Sequence, residues 1–414
     1  MSSDVDVAAP GIGLPEGGEP EEQQSLGRRA LVNLRSGNVG VLPVAIGELG
    51  IIAFFAFTAT NFFTSANFVN VIVQMAGVTM LAYGVVFVLL IGEIDLSIGY
   101  LSGIAALSVA EFQLAGSSHN YPGWVAIAIG ILIAAGIGAA QGSIVALFGV
   151  PSFVVTLAGL LIWQGLILHV LEIRGVIVID DNLINDTANY FFSDRDGLII
   201  AAIISGAYAM MALGGAIAQR RAGIPLRRPA LMVAKLAGVA VACFGIVTIC
   251  NRDRGLPLAG LLMVVFLVGL TFLAKRTSFG RHVYAVGGNA EAARRAGINV
   301  PRIRILVFMI SGIMCGVGGV ILAARINSVD LNVGGGTLLL DAISAAVIGG
   351  TSLFGGRGEV RSALIGSLVI ATIGNGLNTG GYKTGTIYMV TGVILLLAVT
   401  LDTVARRLQA RSGR

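Results

Sequence analysis

The groups in this sequence best placed to act on a solute are carboxylates and amides stranded among apolar residues. Glu93 and Asp95 lie in Ile91–Gly99, IGEIDLSIG, between two long apolar runs. Burying an ionised carboxylate is costly, so carboxylates held there are functional candidates. Two roles fit them. One is a direct part in moving a solute. The other is a structural turn, with Asp95 capping a helix from Leu96 and with Gly92 and Gly99 allowing tight backbone. Gln74, Gln141, Ser143, Gln164, Asn375 and Asn378 place uncharged polar groups inside apolar runs. Such groups need partners in lipid and face a bundle interior. Singly each reads as helix–helix glue. Together they suit a path for a polar, uncharged solute better than an ion path, which would want more buried charge. Glu48, Lys235 and Asp341 are the charged exceptions within segments.

Catalytic chemistry finds no such support. There is no G-x-S-x-G elbow, no H-E-x-x-H pair and no G-x-x-x-x-G-K-[ST] loop, so no catalytic residue is assigned. His119, His169 and His282 are scattered, and Cys243, Cys250 and Cys315 sit in or at the ends of apolar runs as packing residues. No metal and no bound cofactor is expected. Because no Gly-Lys pair occurs, any ATP that drives the protein binds on another polypeptide.

The elements that must hold these groups are membrane helices. The chain of 414 residues is 56% hydrophobic and only 12% charged. Its apolar runs reach about 18–22 residues, the length that crosses a hydrocarbon core. They do not alternate, which excludes a β-barrel. The fold class is therefore all-α, a polytopic bundle of about 10–12 transmembrane segments embedded in a lipid bilayer. Apolar segments fall at 41–57, 71–91, 99–114, 124–148, 152–171, 197–218, 230–250, 256–274, 305–323, 337–349, 362–378 and 384–401. Segments 99–114 and 337–349 are short, as broken or re-entrant helices are.

The net charge of +5 lies in the loops between runs, so it marks orientation and implies no nucleic acid partner. Twelve crossings put loops 219–229 and 275–304 and both termini on the cytoplasmic side. The aspartate-bearing loop 172–196 falls outside, and the turn with Arg252 and Arg254 is a mild exception. Residues 1–36 read as a disordered cytoplasmic tail rather than a signal peptide, 37–404 as the transmembrane domain and 405–414 as a cytoplasmic tail. Small residues such as Gly130, Ala134, Ala135, Gly136, Gly138, Ala139 and Ala140 permit close helix packing.

The loop Lys275–Arg304 carries a short helix of its own, Ala290–Ala296. Asn289 stands at its N-cap, Glu291 in its first turn and Arg294 and Arg295 in its last; Gly297 closes it and Pro301 stops it continuing. Two turns of helix are marginal alone in water. The helix needs something to pack on, either the body of this chain or another subunit. Elsewhere, Ile91–Gly99 aligns weakly with Ile348–Gly356, IGGTSLFGG, a sign of duplicated half-bundles. The FGGRG turn that follows has Gly355, Gly356 and Gly358 for close backbone approach and Arg357 on the cytoplasmic side.

Four ordered stretches carry a family resemblance: IGEIDLSIG (Ile91–Gly99), AQGSIVALFGVPSFVVTLAGLLIWQG (Ala140–Gly165), GRHVYAVGGNAEAARRAGINV (Gly280–Val300) and IGGTSLFGGRGEVRSALIG (Ile348–Gly366). The chain resembles the membrane permease subunit of bacterial ABC sugar importers, the ribose/xylose/galactose type, from about Asn61 to the C-terminus. That resemblance implies a homodimer of permeases in the bacterial plasma (inner) membrane, an ATP-binding ABC subunit, and an extracytoplasmic sugar-binding protein. It implies that the helix around Asn289–Arg295 is a coupling helix seated in the ATPase. Gly287 and Gly288 would let the chain turn into it, and Glu291, Arg294 and Arg295 would face the partner. The extra apolar pair around Gln219–Pro229 makes the chain more similar to the longer xylose-type permeases. The expected function is import of a monosaccharide, xylose or a related pentose or hexose, driven by ATP hydrolysis on a separate subunit. The rivals are a branched-chain amino acid ABC permease and an ion-coupled secondary carrier.

Overall fold

The computed structural model describes residues 42–114, 120–223 and 229–411. The N-terminal tail, the centre of the basic 219–229 loop, part of the 115–123 loop and the last three residues lie outside them, so the disorder expected for 1–36 is not addressed. The helices, in chain order, are α1 (Leu42–Thr58), α2 (Ser65–Leu90), α3 (Ile98–Gln113), α4 (Gly123–Phe148) and α5 (Ser152–Arg174). The strand β1 (Ile177–Val178) precedes α6 (Asn182–Asn189), α7 (Asp194–Arg221), α8 (Pro229–Cys250), α9 (Leu258–Arg276), α10 (Ser278–Gly288), α11 (Ala290–Arg295) and α12 (Val300–Ile326). Then come β2 (Ser328–Val329), α13 (Leu338–Ile348), α14 (Val360–Thr379) and α15 (Thr384–Arg411). Among the described residues, eight helices are long and apolar enough to cross a membrane, and this is a multi-pass membrane protein.

Every expected apolar segment is a helix. Boundaries move where caps decide them. Thr64 accepts a hydrogen bond from Asn67 N and starts α2 six residues before its apolar run. Gly149 and Gly175 end α4 and α5 with positive φ. The sequence reading missed three elements: α6, α10 and the β1–β2 pair. The two helices are short and amphipathic rather than wholly apolar, so no hydropathy run marks them. The strand pair is two residues a side, Ile177 with Val329 and Val178 with Ser328.

α12 is the hub, packed along α4, α2 and α3. Its 27 residues span about 40 Å. Gly312 lies against the Ala134 carbonyl, Gly316 against Ile131, and Gly138 and Gly142 of α4 against Phe308. Small residues facing one another let these backbones approach, and dispersion then replaces the hydrophobic effect that lipid does not supply. Only one face of the small-residue run on α4 is used this way, because Gly136 has open space where a side chain would project. α2 is buried on most sides, while α7 and α8 are exposed almost all round.

The bundle has two ends. At one, Leu90, Gly287, Gly356, Lys275 and Glu359 come together. At the other, Gln113 bonds Val178, Asp181 accepts from Gly123 N, Asn189 bonds Ala324 and Phe192 bonds Leu256. The first is the basic end and the second the aspartate-rich end, the partition read from loop charge. Arg254, the exception, is satisfied locally by Asp253, Asn70 and the ring of Phe191.

Two crossings are broken, as their short segments suggested. α3 has 16 residues, about 24 Å, and the loop 91–97 supplies the remainder. α13 has 11 residues, about 16 Å, roughly half a hydrocarbon core. The turns of 330–337 lead into it from β2, and Val333 and Gly334 lie against Gly103 and Gly99 of α3.

Candidate functional site

The α10–α11 region is built from caps. Thr277 accepts from Gly280 N to start α10. Asn289 both ends α10, through its own N–H to Ala285 O, and begins α11 by accepting from Ala292 N at 2.9 Å. Gly297, at φ 84°, closes α11. Asn299 then caps α12, so Pro301 sits in the first turn of the next helix rather than merely stopping the previous one. Ala293 is buried against the bundle, whereas Glu291, Arg294 and Arg295 are exposed. Glu291 reaches Arg294 at 3.1 Å and Arg295 at 3.2 Å, so the three form a surface ion cluster one turn long.

α10 joins this helix to the membrane core. A side chain at Gly287 would overlap the Leu90 carbonyl, while Gly288 next to it has open space. The same Leu90 carbonyl accepts from Gly356 N at 2.9 Å. Tyr284 Oη donates to Gly358 O at 2.8 Å, and Phe279 stacks on Phe87. Glu359 takes Lys275 of α9 at 2.6 Å and also Arg361. Burial pulls the Glu359 carboxyl upward, but hydrogen bonds from Lys275 and Arg361 and their charges more than offset it, leaving it below the usual carboxylate range. Burial and the Glu359 charge together push the Tyr284 phenol up. The end of α2, the end of α10 and the α13–α14 turn thus share one carbonyl. The two aligned stretches meet here, with Gly92 against Phe354 and Gly355.

The loop 91–97 is tied to three helices. Glu93 pairs with Arg304 of α12 at 3.0 Å. Ile94 N donates to Ser152 Oγ at the start of α5. Asp95, 4% exposed, accepts from Ser97 N and Ser97 Oγ on one oxygen and from Ser311 Oγ of α12 on the other. Asp95 does not cap a helix at Leu96. The helix begins at Ile98 behind Ser97, and Asp95 closes the turn before it. Ser97 Oγ lies 3.1 Å from the Gln141 amide, whose other face meets Gly159 beside Trp163 Nε1. Turned so that its NH₂ donates to Ser97, Gln141 offers its oxygen on the side where the indole N–H needs an acceptor.

The other polar candidates divide. Asn375 Nδ2 lies 3.4 Å from Gln74 Oε1, and Thr372 donates to Glu48 at 2.7 Å, a second buried set joining α1, α2 and α14. Ser143 and Asn378 bond back to Ala139 O and Gly374 O of their own helices. Gln164 is half-buried and takes no side-chain hydrogen bond among the described residues. The eight candidates therefore form two separate groups and three single residues. Sequence reasoning singled out the α13–α14 turn for close backbone approach but overlooked Ser97, Ser311 and Arg304. Nothing in the local pattern of Ser311 or Arg304 marks them, because their partners Asp95 and Glu93 lie far along the chain.

A helical membrane bundle with a capped helix outside it, joined rigidly to broken crossings, is the build of a transporter permease. The family model described as "Branched-chain amino acid transport system / permease component" matches residues 67–399, and the chain belongs to that family. The xylose transport system permease protein XylH of Escherichia coli is 35% identical over 385 residues, covering 90% of this chain and 94% of that protein. XylH of Haemophilus influenzae is 35% identical over 376 residues, covering 90% and 98%. The ribose import permease protein RbsC of Escherichia coli is 31% identical over 357 residues, covering 86% and 92%. No solved structure matched the chain.

Proposed function

We propose that this chain is the permease subunit of an ABC importer for a monosaccharide, xylose or a related pentose or hexose. It lies in the bacterial plasma membrane with its basic end in the cytoplasm. The observation that carries the reading is the join between α11 and the core: an exposed, doubly capped helix linked through Gly287 to the carbonyl that also holds the α13–α14 turn. Names of the similar proteins supply the substrate class.

In this reading a sugar-binding protein docks at the aspartate-rich end, and two permease copies enclose the path. An ATP-binding subunit closes on ATP and moves α11. α10 passes the displacement to α2 and α14, which carry Gln74 and Asn375, and the loop with Glu93 and Asp95 ties the motion to α12 and α5. Gln141, Ser143, Gln164 and Asn378 complete the polar groups assigned to the path. Weak contacts suffice there because the binding protein supplies the affinity.

The test is purification in mild detergent from the native host. An ATP-binding subunit should co-purify, and replacing Asn289–Arg295 by alanines should release it. The same assembly in liposomes should take up labelled D-xylose only with ATP and a binding protein. The family model's description keeps an amino acid permease as the rival. Uptake of L-leucine in place of sugar would establish that rival, and uptake of sugar on an ion gradient alone would establish a secondary carrier.

A further inference from the structure

A cavity of about 550 Å³ opens between the outer halves of α3 and α5, towards the aspartate-rich end. Tyr100, Ile104, Ser108 and Glu111 fall at i, i+4, i+8 and i+11, so they share one face of α3. The last three line the cavity, opposite His169 and Arg174 of α5. Glu111 and Arg174 form an ion pair of 3.1 Å across it. Ionisable side chains within membrane helices pair with one another and mark solute pathways, so this pair makes the groove a functional candidate.

The stripe leads down to the broken crossing. Tyr100 Oη lies beside Gly335, and Tyr388 Oη of α15 is near Gly336. Gly334, one residue earlier, packs on Gly99 inside the span of α12. Leu331, Asn332 and Gly336 are nevertheless exposed. Irregular backbone at membrane depth persists only when buried in protein or lining an aqueous cavity. Exposed in the single chain, this stretch can line such a cavity.

We propose that this groove, from the Glu111–Arg174 pair down to Ile104, is the outer sugar station of the permease, with Tyr100 one turn further in on the same face. The inference rests on the sugar-importer reading. The volume falls within the range of small-molecule sites and admits a monosaccharide. The paired charges cancel, so neither a cation nor an anion is favoured, while hydroxyls can donate to the carboxylate and accept from the guanidinium. Ser108 extends the same chemistry inward, and the ring of Phe112 offers an apolar face.

The experiment uses Ser108→Cys in the assembled transporter in liposomes, with a membrane-impermeant methanethiosulfonate and D-xylose or D-ribose as probe. The new thiol should react faster than the native-cysteine background. Sugar at ten times its apparent Kd should slow the reaction about tenfold, by mass action. Modification that neither sugar slows, in an assembly that imports either one, overturns the station and leaves the importer reading intact. A wild-type assembly that imports neither sugar overturns the importer reading instead. Glu111→Gln supplies a second readout. Sugar moved per ATP hydrolysed should fall about tenfold, while Glu172→Gln, exposed one residue from the lining, should not change it. An unchanged ratio in Glu111→Gln overturns the station.

Discussion

Gly356 N donates to the Leu90 carbonyl at 2.9 Å, and Gly287 lies against the same oxygen. One backbone group thus holds the end of a core helix, the α13–α14 turn and the approach to α11. Any Cβ at Gly287 must displace one of the three, while the adjacent Gly288 has room.

Gly287→Ala should therefore uncouple hydrolysis from uptake, whereas Gly288→Ala should not. We expect sugar moved per ATP to drop about tenfold or more in the first, equal to about 1.4 kcal/mol in the coupled step. The ratio of uptake to phosphate release in liposomes measures it. Equal ratios for the two variants would remove the shared carbonyl from the coupling route.

Glu359 adds a pH dependence of known sign. Its carboxyl titrates below its ordinary value of 4.5 in the folded protein. A depressed carboxylate contributes stability that is fully present above the unfolded pKa and is lost as pH falls through the folded one. The α9–α14 tie should be constant from neutral pH down to about 5 and weaken below 4.5. Thermal unfolding of wild type against Glu359→Gln should show a gap that closes in acid. Because the side chain is about one-third exposed, the gap should be small.

Asp95→Ala removes the acceptor for Ser97 N, Ser97 Oγ and Ser311 Oγ in a buried site. Each orphaned donor costs about 1–3 kcal/mol. Asp95→Asn retains one acceptor oxygen and should lose less. Detergent melting curves of the two variants, ranked against wild type, check this order, and an alanine variant as stable as the asparagine one would contradict it.

Much of this was legible beforehand. Long apolar runs fix helices because lipid leaves the backbone no alternative, and each of the twelve runs is a helix, eight of the described helices being long and apolar enough to cross a membrane. The α11 caps were legible because Asn289, Gly297 and their neighbours act within a turn of themselves. The two weak repeats were visible as patterns, but their contact through Gly92 and Gly355 was not. Glu93 and Asp95 stood out as carboxylates, yet their partners Arg304 and Ser311 lie more than two hundred residues away, where neither type is unusual. The groove at Glu111 was equally hidden. Glu111 reads as a wet residue near a helix end, and only the fold brings Arg174 across from it.

The α4–α12 contact gives a test in which one substitution has opposite signs at two sites. Gly312 faces the Ala134 carbonyl, and a methyl there meets backbone that cannot turn aside. Gly312→Ala should push the two helices apart and cost on the order of 1–3 kcal/mol, the usual range for overpacking. Gly136, on the open face of α4, has nothing within contact distance. There Gly→Ala gains helix propensity, up to about 1 kcal/mol. Melting temperatures of the two variants should bracket wild type, Gly312→Ala below and Gly136→Ala above. If Gly136→Ala were instead destabilising in the assembled transporter and neutral in the isolated permease, that open face would be covered by a partner, and the second permease copy would be the first to examine.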